Sequence, residues 1–218
     1  MLSPNFGERR GGVTPDLVVI HYTGMESCAA AAARLCDPVA EVSAHYLISE
    51  QGEVFPLVDE TKRAWHAGAG GWGGVTDVNS RSIGIELANT GKEPFAQAQM
   101  VALEALLSDV MARWSIPAHR VIAHSDMAPA RKSDPGLCFD WKRLVYAGLS
   151  VWPTAVTPGD FGTMARRFGY PDVDVAMILQ AFRLRFRPWA MGPCDAIDAA
   201  LITDLAARFP VDAAASRA

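Results

Sequence analysis

Nowhere in these 218 residues does an apolar run approach the roughly 20 that a membrane-spanning helix requires, so no membrane span is expected. The opening MLSPNFGERRGG also lacks the apolar core of a secretory leader. With the cysteine usage below, these absences make the cytoplasm the expected compartment; the periplasm is the alternative if a leader precedes the chain. Basic charge is short too. The 20 Lys and Arg stand against 24 Asp and Glu, a net −4, which leaves no positive field to hold a nucleic acid. Cysteine is scarce: Cys28, Cys36, Cys138 and Cys194 form no CxxC pair, and a chain of this length does not depend on disulfides. They read as reduced core thiols. HExxH is missing, which excludes the common helical zinc-protease motif.

What is present is a globular composition, half apolar and one-fifth charged, enough for one domain of about 150 residues and a smaller one. Leu17–Tyr22 (LVVIHY) is a β-branched run that predicts a buried strand ending at His21. A small-residue helix follows from Glu26 to Leu35, capped by Ser27. Ala44–Ser49 and Glu53–Val58, joined by Glu50-Gln51-Gly52, predict a hairpin. Ala67–Gly74 has too little side chain to fill a core and should border a pocket. Ser82–Ala88 (SIGIELA) predicts another strand. A helix over Pro94–Trp114 carries Leu103, Leu106, Leu107, Val110, Met111 and Trp114 as one apolar stripe, with Pro94 in its first turn. A short strand Arg120–His124 comes next. Strands interleaved with helices point to an α/β fold with a central mixed β-sheet flanked by helices. Two prolines and a glycine within Trp152–Gly159 mark a linker at 154–159. Beyond it, helices from Asp160, Val173 and Asp195 make a small three-helix domain, 160–218, that leans on the larger one, 1–153.

Chemistry concentrates in His124–Asp134 (HSDMAPARKSD). Eleven residues hold an imidazole, two carboxylates, Arg131 and Lys132, on backbone stiffened by Pro129 and Pro135. His21 and His124 each end a predicted strand, and Asp134 follows the second by ten residues. Two imidazoles and a carboxylate leave one position of a tetrahedral zinc open, as a hydrolytic zinc needs. Glu86, embedded in an apolar strand, is a candidate proton shuttle, because a buried carboxylate is costly unless paired or functional. The plain alternative stands at this point, since a histidine at a strand end is most often a hydrogen-bonded rim residue. His45 in AHYLI reads as a satisfied core histidine and His119 as structural or exposed.

VVIHYT, SAHYLI, WHAG, NSRSIGIELAN and AHSDMAPARKSDPG, in that order, closely resemble the zinc-dependent N-acetylmuramoyl-L-alanine amidases of the amidase-2 family, in the anhydromuropeptide-recycling and outer-membrane branch. The resemblance spans about Leu2 to Pro153. FGYP, ILQAFRLRFRP and the Asp195–Phe209 segment resemble the three-helix peptidoglycan-binding-type domain behind the longer members. It implies an amidase-2 or peptidoglycan-recognition-like fold, with Zn2+ held by His21, His124 and Asp134. It also implies Glu86 and Lys132 as catalytic groups, and Trp65, His66, Asn79 and Arg131 at the substrate. The chain departs from the phage branch twice, with Ala44 in place of a catalytic tyrosine and Asp134 in place of a cysteine ligand; both agree with the recycling branch. Asp126 follows His124 too closely to be a ligand in this pattern and reads as a loop brace.

The activity implied is hydrolysis of the amide between N-acetylmuramic acid, in its 1,6-anhydro form, and L-alanine of the stem peptide, by a monomer working in cell-wall recycling. The alternatives are a periplasmic amidase on intact peptidoglycan, a non-catalytic peptidoglycan-recognition protein, and a zinc amide hydrolase with another substrate.

Overall fold

In a computed structural model, which describes residues 2–211, the LVVIHY run is a strand covered on both faces. The elements in order are β1 (Phe6–Glu8), β2 (Leu17–Tyr22), α1 (Cys28–Cys36), β3 (Tyr46–Ile48), β4 (Val54–Pro56), β5 (Lys62–Ala64), α2 (Val78–Arg81), β6 (Ser82–Leu87), α3 (Gln97–Trp114), β7 (Val121–Ala123), α4 (His124–Met127), α5 (Trp141–Tyr146), α6 (Phe161–Phe168), α7 (Val175–Phe186) and α8 (Ala196–Arg208). Five strands form the central sheet in the order β4-β3-β6-β2-β7, and β1 pairs with β5 apart from it. The pairs β3/β6, β6/β2 and β2/β7 are parallel, while β3/β4 is the antiparallel hairpin, so the sheet is mixed as expected. Gly52 turns that hairpin at φ +84°, a conformation a side chain resists.

Burial on both sides explains why β2 reads as unbroken apolar sequence rather than alternation. Val18 and Ile20 pack with Leu103, Leu107 and Val110 of α3. Leu17 and Val19 face the other way, into a cluster completed by Phe161, Phe168, Phe182, Phe186 and Leu205 from α6, α7 and α8. The C-terminal helices therefore cover one face of the sheet and share its core. Among the described residues no helix is long and apolar enough to cross a membrane.

Three expectations need correction. Helix α3 begins at Gln97, because Ala96 is still extended (ψ 144°), so Pro94 lies ahead of the first turn. The segment after β7 is not loop at its start: His124 opens a helical turn, α4. The cysteines are all free but none is in the core; Cys28, Cys36 and Cys138 are half-buried and Cys194 is exposed. Small thiols near helix ends satisfied the apolar pattern without being enclosed by it. The cap at Ser27 is present, its Oγ accepting the Ala30 N–H at 3.2 Å.

Candidate metal centre and cleft

Parallel pairing sets three polar side chains along one edge of the sheet. The β2/β6 register places His21 opposite Glu86, and the β2/β7 register pairs Ile20 with Ala123, so His124 emerges beside His21. These are the C-terminal ends of parallel strands, the edge at which open α/β sheets build ligand sites. Asp134 arrives from the loop after α4. Its carbonyl accepts the Ser125 N–H at 3.0 Å, which ties the loop back to the turn.

His21 Nδ1, His124 Nδ1 and Asp134 Oδ2 converge. The two nitrogens are 2.9 Å apart and lie 3.1 and 3.0 Å from the carboxylate oxygen. All three residues are buried, and they form one set capable of holding a metal ion. The far nitrogens decide what the near ones offer. His124 Nε2 lies 2.9 Å from the Ala67 carbonyl, which can only accept, so that nitrogen carries the proton. His21 Nε2 lies 3.0 Å from His66 Nδ1, and His66 Nε2 lies 3.2 Å from Ser82 Oγ, whose own proton goes to the Val78 carbonyl at 2.6 Å. Read back along this chain, His21 donates to His66 and presents an unprotonated Nδ1. Two imidazole lone pairs and a carboxylate then face one another with no proton between them, an arrangement a divalent cation satisfies.

The local charges agree. Burial first, and then the neighbouring His124, lower His21 to about 4, and burial holds His66 well below 6.5, so both rings are neutral. Glu86 is pushed up to about 8 by burial and then by Asp134, with Lys132 opposing, and its Oε2 is enclosed without a hydrogen-bond partner. A shielded carboxylate oxygen with nothing to accept is placed for proton transfer rather than for stability.

The centre opens into a cleft of about 660 Å³. Trp65, His66, Glu86, Arg131 and Lys132 line it, and Arg34 adds a third cation to the rim. Of the residues expected at the site, all but Asn79 meet at this cleft. Asn79 is buried behind it, where its Oδ1 accepts the N–H groups of His66 at 3.1 Å and Ala67 at 2.8 Å. It braces the segment that carries His66 and is not among the residues that line the cleft. Arg131 lines the cleft, but Nε already donates to the Ala69 carbonyl at 2.6 Å and Nη2 to the Ala67 carbonyl. His45 is the satisfied core histidine expected, accepting the Gly84 N–H at Nδ1 (2.9 Å). His119 is half-buried and stacks on Phe209.

Sequence reasoning missed Ser82, Gly84 and Arg34. A Cβ at Gly84 would meet the His66 ring, so this glycine in an apolar strand marks a close approach. Asp126 was read as a brace but without partners. It accepts from Tyr170 Oη at 2.7 Å and Arg185 Nη1 at 2.7 Å, both contributed by the C-terminal segment. Arg183 and Arg185 within the largely apolar α7, and Arg187 just after it, were the available signal for buried ion pairs.

Comparison with known proteins places this geometry. A family model described as N-acetylmuramoyl-L-alanine amidase matches residues 11–137. The N-acetylmuramoyl-L-alanine amidase AmiD of Escherichia coli is 35% identical over 234 aligned positions, covering 90% of this chain and 84% of that protein. The 1,6-anhydro-N-acetylmuramyl-L-alanine amidase AmpD of the same organism is 35% identical over 159, covering 65% of this chain and 87% of its own. Among solved structures, E. coli AmiD in complex with the substrate anhydro-N-acetylmuramic acid-L-Ala-D-γ-Glu-L-Lys matches with TM-score 0.81 at 32% identity, over 94% of this chain and 98% of that one. AmpDh3 of Pseudomonas aeruginosa in complex with anhydromuramic pentapeptide also matches with TM-score 0.81, at 30% identity and 96% of each chain.

Proposed function

The chain belongs to the N-acetylmuramoyl-L-alanine amidase family, and from that premise we propose that it hydrolyses the amide between the lactyl group of N-acetylmuramic acid and the L-alanine of a stem peptide, with a 1,6-anhydromuropeptide as substrate and zinc as its metal. The observation that carries this reading is the convergence of His21 Nδ1, His124 Nδ1 and Asp134 Oδ2 beside the enclosed carboxylate of Glu86. Relatives whose names specify the 1,6-anhydro substrate support its form.

Zinc, when bound, supplies a Lewis acid that polarises the scissile carbonyl and acidifies water. Glu86 accepts the proton of the attacking water and delivers it to the alanine nitrogen as the C–N bond breaks, leaving a lactyl carboxylic acid and a free peptide amine, between which the acid's proton then passes to give carboxylate and ammonium. Lys132, which lines the cleft, stabilises the oxygen that gains charge, a contact worth about 3 kcal/mol of barrier, so Lys132→Met should lower kcat roughly a hundredfold. Arg34 and Arg131 present cations to the carboxylates of the stem peptide, and Trp65 offers an apolar wall.

We read residues 1–153 as the catalytic unit and 160–218 as a helical unit of peptidoglycan-binding type, joined at 154–159. We take it to act as a monomer, which sedimentation of the native product checks. Four free cysteines suit a reducing compartment, and on that ground we assign the cytoplasm; fractionation of the native product checks it. The activity is tested with soluble anhydromuropeptide and intact sacculi side by side. Free stem peptide should appear from the former, vanish on chelation and return with zinc. Cleavage of a sugar–sugar bond, or turnover that survives thorough chelation, would falsify the reading.

A further inference from the structure

Asp126 lies two residues beyond His124 and is fully buried, and none of its partners is part of the cleft. Oδ2 accepts the Ala123 N–H at 2.9 Å, the bond that fixes the start of the α4 turn on which His124 stands. The same oxygen accepts Arg185 Nη1 at 2.7 Å, and Oδ1 accepts Tyr170 Oη at 2.7 Å. Arg185 is itself buried inside α7. Its Nη2 donates to the Val121 carbonyl of β7 at 3.0 Å and to Ser150 Oγ at 3.1 Å, and its guanidinium lies 4.2 Å from the centre of the Trp141 ring. One arginine from the C-terminal helices thus grips the strand before His124, the turn after it and the helix beyond.

A buried ion pair is a weak source of stability, because desolvation offsets most of the attraction. What such a pair supplies is a single geometry. The turn it holds carries His124 directly and, through Ser125 N–H to the Asp134 carbonyl at 3.0 Å, steadies the loop of Asp134 as well. We propose that Arg185 and Tyr170, acting through Asp126, are positioning residues for the metal centre, so that α7 and the segment before it complete the site. The C-terminal helices on this account are part of the catalytic machinery's support. The proposal rests on the reading of His21, His124 and Asp134 as zinc ligands.

The test uses the full chain and zinc alone, titrated against a chromophoric chelator, with kcat and KM measured on an anhydromuropeptide alongside. Tyr170→Phe keeps the ring and removes only the hydroxyl, and Asp126→Asn removes the charge while keeping the shape. Ile202→Ala, in the buried core of α8, serves as a control that loosens the helices without touching the network. The expected result is a rise in zinc Kd of about fivefold for Tyr170→Phe and roughly 10- to 100-fold for Asp126→Asn, as for residues that hold metal ligands in place. kcat should fall with KM unchanged, and Ile202→Ala should lose stability at constant Kd. The inference is overturned if Tyr170→Phe stays within about twofold of the wild-type Kd, a purely structural result, or if Ile202→Ala weakens zinc equally. Tyr170→Phe decides even where Asp126→Asn does not fold. A wild-type chain with no zinc affinity removes this inference and the proposed function together, whereas normal wild-type binding with unchanged variants removes this one alone.

Discussion

A Cβ built on Gly84 stands 2.4 Å from Cγ of His66, so the strand residue and the imidazole compete for one space. The obstacle is a ring held between Ser82 and His21, not the free end of a flexible chain. Gly84→Ala should therefore drive His66 outward, deprive the His21 Nε2–H of its acceptor and let the ligand ring turn. Zinc affinity is expected to fall roughly 10- to 100-fold, and overpacking should cost about 1–3 kcal/mol of stability. Chelator competition and urea unfolding measure the two separately. Lost stability at unchanged affinity would show that His66 does not orient His21.

Glu86 sets function against stability. Its carboxyl ionises at about 8 in the folded chain, raised by burial and then by Asp134, against 4.5 as its ordinary value. A folded-state pKa above the unfolded one gives stability that is fully present below 4.5 and lost as pH rises through 8. Glu86→Gln has nothing to ionise. Zinc-free wild type should therefore lose stability relative to Glu86→Gln across that window, as read by thermal melting at several pH values. With zinc bound, the same variant should keep its metal stoichiometry while kcat falls by roughly 10² to 10⁴. Near-normal turnover would remove Glu86 as the shuttle.

Several parts of this arrangement were legible in the chain because one local cause dominated each. β2 is covered on both faces, so LVVI announced it; Gly52 needs a positive φ, so the Glu50-Gln51-Gly52 turn announced the hairpin. His21, His124 and Asp134 were identified together, although Asp134 enters from a loop, because the whole motif run supplied what no single residue did. What stayed hidden depends on contacts between distant segments. Asp126 and Arg185 are 59 residues apart and both belong to stretches with innocent local readings, a polar loop and an amphipathic helix. Asn79 looked like a substrate contact because a polar residue in a pocket motif can face either way. Only the fold shows that it turns inward to the backbone of His66 and Ala67.

Acid should unfold the metal-free protein early. Burial above all lowers His21 and His45 to about 4 and His66 well below 6.5, so the folded chain holds three neutral rings where the unfolded chain binds protons. Folded-state values below the unfolded ones give stability that is present above 6.5 and lost as pH falls toward 4. For His45, which is fully enclosed, the displacement corresponds to roughly 3 kcal/mol. In the Glu86→Gln background, which removes the opposing contribution of that carboxyl, urea midpoints of the chelated protein should fall from about pH 6.5 to 4.5. Zinc should add protection at neutral pH that fades in acid, because protons compete for its ligands. A flat profile would mean that these rings are charged or solvated in the folded state.

A bracing role for Asn79 makes a prediction opposite to that of a substrate contact. Its Oδ1 is the acceptor for two buried N–H groups, those of His66 and Ala67. Asn79→Ala orphans both, at about 1–3 kcal/mol each. It should also lower kcat, because His66 orients one ligand ring and the Ala67 carbonyl receives the proton of the other. Asn79→Asp keeps the acceptor and should recover most of the stability and turnover. KM for the muropeptide should stay constant in both variants, since the side chain does not line the cleft. A raised KM at unchanged unfolding free energy would return Asn79 to the substrate, and with it the expectation drawn from the motif.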